Sequence, residues 1–330
     1  MEYRYVFGPV HSRRMGYSLG IDPVPRKLCS MDCVYCEVGK TDRWTMERRE
    51  WVPPGEILEE VRSKLGEEGR VDCITFSGSG EPVLHSRLGE MIDAIHEMSE
   101  LPVYLLTNGS WMHDEEVRKE IRKADAVAPS LDAVTPEVFE AVCKPHPELR
   151  VEDVVEGLVA LRSEYEGPIW LEMLFVSGLN DTEEEVRALA EAAYRIDPDR
   201  IDINTVARPP AYENTDAVSY ARLKEIEEML GPKAGIVKIA PSEAHAVCRG
   251  DAAAAIQATA MRRPLSRSEL SDILGMDQEE LELPVRSLVQ TGRLRERVHE
   301  GVVYLEAPET AHPRRPPRLR RGSTRPPDED

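Results

Sequence analysis

The 330-residue sequence predicts an α/β fold in which parallel strands are joined by helical crossovers. Three observations carry that expectation. Short apolar runs such as Cys73 to Phe76 and Ala126 to Ser130 read as strands buried on both faces. Between them lie segments with apolar residues at helical spacing, among them Leu88 to Met98 and Val151 to Tyr165. Helix starts are marked by caps: Thr135 precedes Pro136, and Thr182-Glu183-Glu184-Glu185 has the spacing of a capping box.

In chain order, Pro53-Pro54-Gly55 precedes an amphipathic helix from Glu56 to Leu65, and Cys73 to Phe76 is the next strand. A helix at Leu88 to Met98, a strand at Val103 to Thr107, a helix at Asp114 to Lys123 and a strand at Ala126 to Ser130 follow. Helices at Pro136 to Val142 and Val151 to Tyr165 lead to a strand at Ile169 to Val176. The helix opened at Thr182 is followed by a strand at Arg200 to Thr205, a helix at Ser219 to Leu230 and the apolar Ile236 to Ala240. Periodicity alone does not separate an open doubly wound sheet from a barrel.

Past Ala246 the character changes. The Ala-rich stretch Ala252 to Met261 precedes the capping box Ser266-Arg267-Ser268-Glu269, whose helix runs to Leu274. Asp277-Gln278-Glu279-Glu280 opens another helix, kinked at Pro284 and closed by Gly292, and Arg293 to Leu305 reads as a hairpin turning at Glu300-Gly301. Three helices and a hairpin resemble a winged helix. Its would-be recognition helix carries Asp277, Glu279, Glu280 and Glu282, so contact with a protein or substrate fits better than contact with phosphates. The expected organisation is a core at 1–245, a winged-helix-like domain at 246–307 and a disordered Pro/Arg-rich tail at 308–330.

A net charge of −19 argues against nonspecific binding along nucleic acid, although the two ends of the chain are slightly basic. No stretch has the roughly 20 apolar residues that span a bilayer, and Met1 to Tyr5 is not a secretory signal, which points to the cytoplasm. Of six cysteines, Cys73, Cys143 and Cys248 are scattered and read as small buried hydrophobes. Cys29, Cys33 and Cys36 are clustered. Their thiolates are soft ligands that suit an iron-sulfur cluster or zinc, and no fourth ligand lies nearby in sequence.

The stretch Cys29-Ser30-Met31-Asp32-Cys33-Val34-Tyr35-Cys36, an aromatic before the third thiol, resembles the signature of the radical S-adenosylmethionine (radical SAM) superfamily. Phe7 to Arg14 with Ser18 to Asp22 upstream, and Thr75 to Pro82 downstream, are similar to its Fe-S oxidoreductase branch, distantly similar in turn to wyosine-forming tRNA enzymes. The resemblance implies a partial (β/α)6 TIM-like barrel whose first strand is Leu19 to Val24, with one 4Fe-4S cluster on the three cysteines. It implies that S-adenosylmethionine binds the open iron and is cleaved reductively to a 5′-deoxyadenosyl radical, which takes hydrogen from an unidentified substrate: an RNA base, a protein or peptide side chain, or a small metabolite.

The same resemblance implies cofactor roles at strand ends. Ser79, Gly80 and Glu81 would meet the amino group, Thr107 and Asn108 the methionine end, Ser130 and Asp132 the ribose, and Asn204 the adenine side or substrate. Tyr35 would pack beside the cluster or adenine. His11, Arg13 and Arg14 could fold over the barrel mouth, and His85 and His146 could be proton donors or surface imidazoles. An external one-electron reductant of ferredoxin or flavodoxin type is expected, and the substrate would be RNA or a protein docked on the winged-helix domain. The competing class is a zinc-binding winged-helix regulator using the three cysteines with His11 or Cys73.

Overall fold

A computed structural model describes residues 3–12, 15–67, 69–237 and 252–308. Arg13, Arg14, Cys248 and the tail from 309 onward lie outside the described residues, as does the start of the expected second domain. Strand β1 (Val6–Ser12) pairs antiparallel with β2 (Gly16–Ile21), placing Val6 opposite Ile21 and His11 opposite Tyr17. Two-residue strands β3 (Leu28–Cys29) and β4 (Arg43–Trp44) pair parallel and bracket the cysteine loop. Helix α1 (Pro54–Leu65) leads to β5 (Cys73–Phe76), then α2 (Leu88–Met98), β6 (Val103–Thr107), α3 (Glu115–Ile121) and β7 (Ala126–Pro129). After α4 (Pro136–Cys143) and α5 (Val151–Glu164) come β8 (Trp170–Phe175), α6 (Glu183–Ile196), β9 (Arg200–Thr205), α7 (Tyr220–Leu230) and β10 (Ala234–Ile236).

Strands β2, β5, β6 and β7 are parallel neighbours, and bridges at Val127–Ile169 and Ser130–Glu172 carry the same direction into β8. Strand β9 follows parallel to β8, and β10 adds a seventh parallel strand. The result is a curved parallel sheet walled by helices, the partial barrel. Leu19, Ile21, Ile74, Phe76, Met91, Ile92 and Ile95 are fully buried between sheet and helices. The first parallel strand stops at Ile21 and not at Val24, because Pro23 and Pro25 have no amide hydrogen to extend a ladder.

One local expectation changes. Thr182 caps α6 by accepting from the Glu185 amide, yet the Glu185 side chain does not return to close a box. It is buried, and takes the Val134 and Thr135 amides (2.6 and 3.2 Å) and the Thr135 hydroxyl (2.6 Å), tying the β7–α4 loop to α6. Pro284 lies inside α10 (Gln278–Gln290), whose Leu281, Val285 and Leu288 stay buried on one face.

Residues 252–308 form a unit with its own core. Helix α8 (Ala252–Ala260), strand β11 (Leu265–Ser266), helices α9 (Arg267–Leu274) and α10, and strands β12 (Arg295–His299) and β13 (Val302–Glu306) enclose Ile256, Leu265, Leu270, Leu281 and Leu305. Its sheet order is β11-β13-β12; the capping box expected at Ser266 is present, and Asp277 closes another with Glu280. Among the described residues no helix is long and apolar enough to cross a membrane.

Gly157 in α5 lies against the loop after β6, where an added Cβ would stand 2.3 Å from the Met112 carbonyl carbon and 2.5 Å from the His113 nitrogen. Helix propensity favours Gly157→Ala by about 1 kcal/mol, but backbone cannot yield to a methyl group, and overpacking costs about 1–3 kcal/mol. The substitution should therefore lower the urea midpoint; an unchanged or raised midpoint would show that α5 shifts freely.

Candidate cofactor site

The cysteine loop leaves the carboxyl end of β2 and has almost no repeating structure, so its amides and carbonyls are satisfied from outside. Lys27 N–H donates to the Ser79 carbonyl (2.8 Å), and the Glu81 amide donates to the Leu28 carbonyl (3.0 Å). Asp32 N–H is shared between the Cys143 and Lys144 carbonyls (both 3.1 Å), and Val34 N–H donates to the Val142 carbonyl (2.9 Å). Tyr212 N–H reaches the Val34 carbonyl (3.1 Å), and its hydroxyl donates to Asp32. Gly80 is required here: a Cβ would come within 2.3 Å of the Leu28 carbonyl oxygen.

Two sulfurs face nitrogen donors. Asn108 Nδ2 lies 3.5 Å from Cys29 Sγ and 2.9 Å from Ser30 Oγ, while the buried Lys27 places Nζ 3.6 Å from Cys36 Sγ and on the Gly39 carbonyl. Burial pushes the Cys29 thiol well up, with the Glu81 carboxylate adding to the effect. Cys33, together with burial, pushes the Cys143 thiol well up, so Cys143 is a buried thiol beside the loop as well as a small core residue.

Glu81 is turned inward. One carboxylate oxygen takes the Thr107 hydroxyl (2.7 Å) and the Val83 amide (3.0 Å), the other the Asn108 amide (2.7 Å). It bolts the ends of β5 and β6 together and holds the backbone of Asn108, whose side chain meets Cys29. Burial pushes its carboxyl up to about 7. Ser79 is likewise buried and gives its amide (3.2 Å) and hydroxyl (2.6 Å) to Asp22, whose own carboxyl is raised by burial.

A small cavity on the barrel side of the loop is lined by Tyr35, Asn108, Ser130, Asp132 and Cys143. Tyr35 donates its hydroxyl to Asp132, whose other oxygen takes the Leu174 amide (2.7 Å), and burial pushes the Asp132 carboxyl up to about 6. Thus Tyr35, Asn108, Ser130 and Asp132 share one wall. Asn204 lies in β9 opposite Leu174, half-buried, and its side chain bonds to no described residue.

The histidines fall elsewhere. His11 lies opposite Tyr17 at the amino end of β2, at the far end of the barrel from Cys29, because β1 runs back antiparallel along β2. His85 is neither surface group nor proton donor: it is fully buried, Nε2 bonded to the Val52 carbonyl (2.8 Å) and Nδ1 accepting the Arg87 amide (3.1 Å), and burial lowers its basicity. His146 packs edge-on to Trp44 (5.5 Å), and its amide donates to the Ser30 carbonyl (2.8 Å). Cys73 lies at the amino end of β5 with its thiol on the Met15 carbonyl (3.4 Å), out of reach of the cysteine loop. Lys27, Asp22 and Tyr212 were given no site role by sequence reasoning; Lys27, two residues before Cys29, and Asp22, at the end of the Ser18 to Asp22 stretch, carried a local signal, and Tyr212 carried none.

The Radical SAM superfamily profile matches residues 25–192, just over half of the chain. The chain belongs to the radical SAM superfamily. A UPF0026 protein of Methanocaldococcus jannaschii is 36% identical over 207 residues, covering 62% of this chain and 64% of that protein. A Brachyspira hyodysenteriae protein named GTPase Obg is 30% identical over 306 residues, covering 92% of this chain and 45% of that one. The chain thus spans between about half and two thirds of the length of these curated relatives. The solved structure of TYW1 with a lysine-pyruvate adduct bound shares the fold, at TM-score 0.51 and 19% identity over 68% of this chain and 75% of that one.

Enzymes of this superfamily use a 4Fe-4S cluster and S-adenosylmethionine. The donor set fits such a group: three soft thiols on one loop, with nitrogen donors turned to two of them as sulfur ligands of a cluster receive.

A carboxyl raised on folding gives stability that is complete below its unfolded pKa and falls as pH rises through the folded value. For Glu81 the window runs from roughly pH 4.5 to 7, and the fall should be about 3 kcal/mol. Urea titrations of iron-free protein at several pH values should show this fall in the wild type, flattened in Glu81→Gln; parallel curves would remove Glu81 as its source.

Proposed function

We propose that this chain cleaves S-adenosylmethionine reductively and uses the resulting radical to take hydrogen from a substrate, with Cys29, Cys33 and Cys36 as the three cluster ligands. The observation that supports it most is the pairing of this loop with strand-end groups: Asn108 bonds toward Cys29 while its amide rests on Glu81. When bound, the cluster and S-adenosylmethionine together supply a 5′-deoxyadenosyl radical able to abstract hydrogen from carbon. The chain's own residues would place and shield it. Glu81 and Thr107 fix the Asn108 backbone, and Gly80 leaves a bare backbone edge where a cofactor can approach. Ser130, Asp132 and Tyr35 form the wall that would face the nucleoside, with Asn204 on the neighbouring strand.

Two substrate readings rest on separate observations. The rim beside the loop interleaves cations with rings: Arg49 lies 3.8 Å over Trp51, Trp44 is 46% exposed, and Lys40 and Lys144 both stand over Tyr212 (4.4 and 5.1 Å). Such a surface suits an RNA strand, whose bases stack on aromatic rings. The C-terminal unit, which we read as winged-helix-like, instead presents acidic Glu279, Glu280 and Glu282 beside an exposed Leu283, a surface for a peptide or protein. An external ferredoxin- or flavodoxin-type protein would supply the electron.

Protein reconstituted without oxygen should bind about four irons and, given dithionite and S-adenosylmethionine, release 5′-deoxyadenosine. Cys33→Ala should lose both properties; cleavage retained by that variant would refute the assignment.

A further inference from the structure

We infer that the C-terminal unit is part of the cofactor machinery, acting through Arg208 and Arg262 as positioning residues that set the cysteine loop and the Ser79–Glu81 turn. This rests on the cluster reading above for its purpose, though the linkage itself is a matter of geometry. Arg208, on the loop after β9, is 11% exposed at its side chain and divides its guanidinium between two carboxylates. Nη1 lies 2.8 Å from Glu37 Oε1, one residue after Cys36, and Nη2 lies 2.6 Å from Glu269 Oε1 in the first turn of α9. The other Glu269 oxygen accepts the Ser266 amide (2.9 Å), so one carboxylate closes the α9 capping box and anchors the cysteine loop.

The stretch around Arg208 is gripped from both sides. Tyr304 and Arg297 of the β12–β13 hairpin donate to the Ala207 and Pro210 carbonyls (3.0 and 3.2 Å), while Tyr212 bonds to Val34 and Asp32 within the cysteine loop. Residues 207–212 are therefore a strap between the C-terminal unit and the three thiols.

Arg262 makes the second link. Only 8% exposed, it lies across the Phe7 ring (4.5 Å) and donates to the Ala258 and Arg4 carbonyls (2.8 and 2.9 Å). Its Nε stands 3.5 Å from Asp22 Oδ2, on the carboxylate that holds Ser79 by amide and hydroxyl. Arg26 adds a bond to the Met261 carbonyl (3.2 Å) and another to that of Val38 (3.0 Å). A buried charge stripped of its partner is costly, so the unit cannot shift without disturbing both segments.

Glu269→Gln breaks the link from the C-terminal side without touching the loop. In iron-free protein, hydrogen exchange over residues 29–39 should speed up by roughly tenfold or more in Glu269→Gln and in Arg208→Met, with partial recovery in Arg208→Lys. Arg262→Lys should do the same over residues 77–82. After reconstitution, the cluster reduction potential should shift in Glu269→Gln, a readout that plain anchoring would not move. A circular-dichroism spectrum matching the wild type identifies a folded variant, and if Arg208→Met unfolds, Glu269→Gln carries the test. Unchanged exchange in residues 29–39 together with an unchanged potential would overturn the inference, whether or not the wild type cleaves S-adenosylmethionine. Failure of the wild type to cleave it, with the exchange effect intact, would overturn the cluster reading alone.

Discussion

The loop that carries Cys29, Cys33 and Cys36 cannot hold its own shape, and the rest of the molecule is arranged around that constraint. A loop without repeating structure needs its backbone groups satisfied by neighbours. Here the carbonyls of Val142, Cys143 and Lys144, the amides of Glu81 and Tyr212, and the Ser79 carbonyl all serve it. Ser79 and Glu81 follow β5, Val142 to Lys144 close α4, and Tyr212 lies beyond β9. The barrel is thus less a container than a ring of fixed anchors.

Charge is handled with similar economy. Glu81, Asp22 and Asp132 are buried carboxyl groups within the candidate site, and each is met by protein donors. Buried polar groups so satisfied stiffen their surroundings, because any displacement leaves an unpaired group in a low-dielectric interior. Ser79, Thr107 and Tyr35 consequently act on the carboxylates first, and through them on the space a cofactor would fill.

Much of the fold was legible. Strands at Cys73–Phe76, Val103–Thr107 and Arg200–Thr205 and the helix at Leu88–Met98 have the bounds that the apolar pattern indicated, because burial on both faces gives a strand a continuous apolar run and burial on one face gives a helix its apolar spacing. The thiol spacing and the strand-end residues were legible as local patterns. What sequence could not show were contacts between distant segments: Arg208 with Glu37 and Glu269, Arg262 with Asp22, Cys143 with Cys33. His85 misled because an imidazole satisfied by two backbone groups leaves no trace in its neighbours' identities, and His11 because antiparallel pairing of β1 reverses its end of the barrel.

The central claim is that the three thiols hold a cluster with one iron left for the cofactor. Mössbauer spectra of the iron-57 protein, reconstituted without oxygen and recorded with and without S-adenosylmethionine, test it most directly. The account predicts that one iron in four changes its isomer shift and quadrupole splitting when the cofactor binds, while the other three keep theirs. Four irons that respond alike, or none that responds, would contradict it.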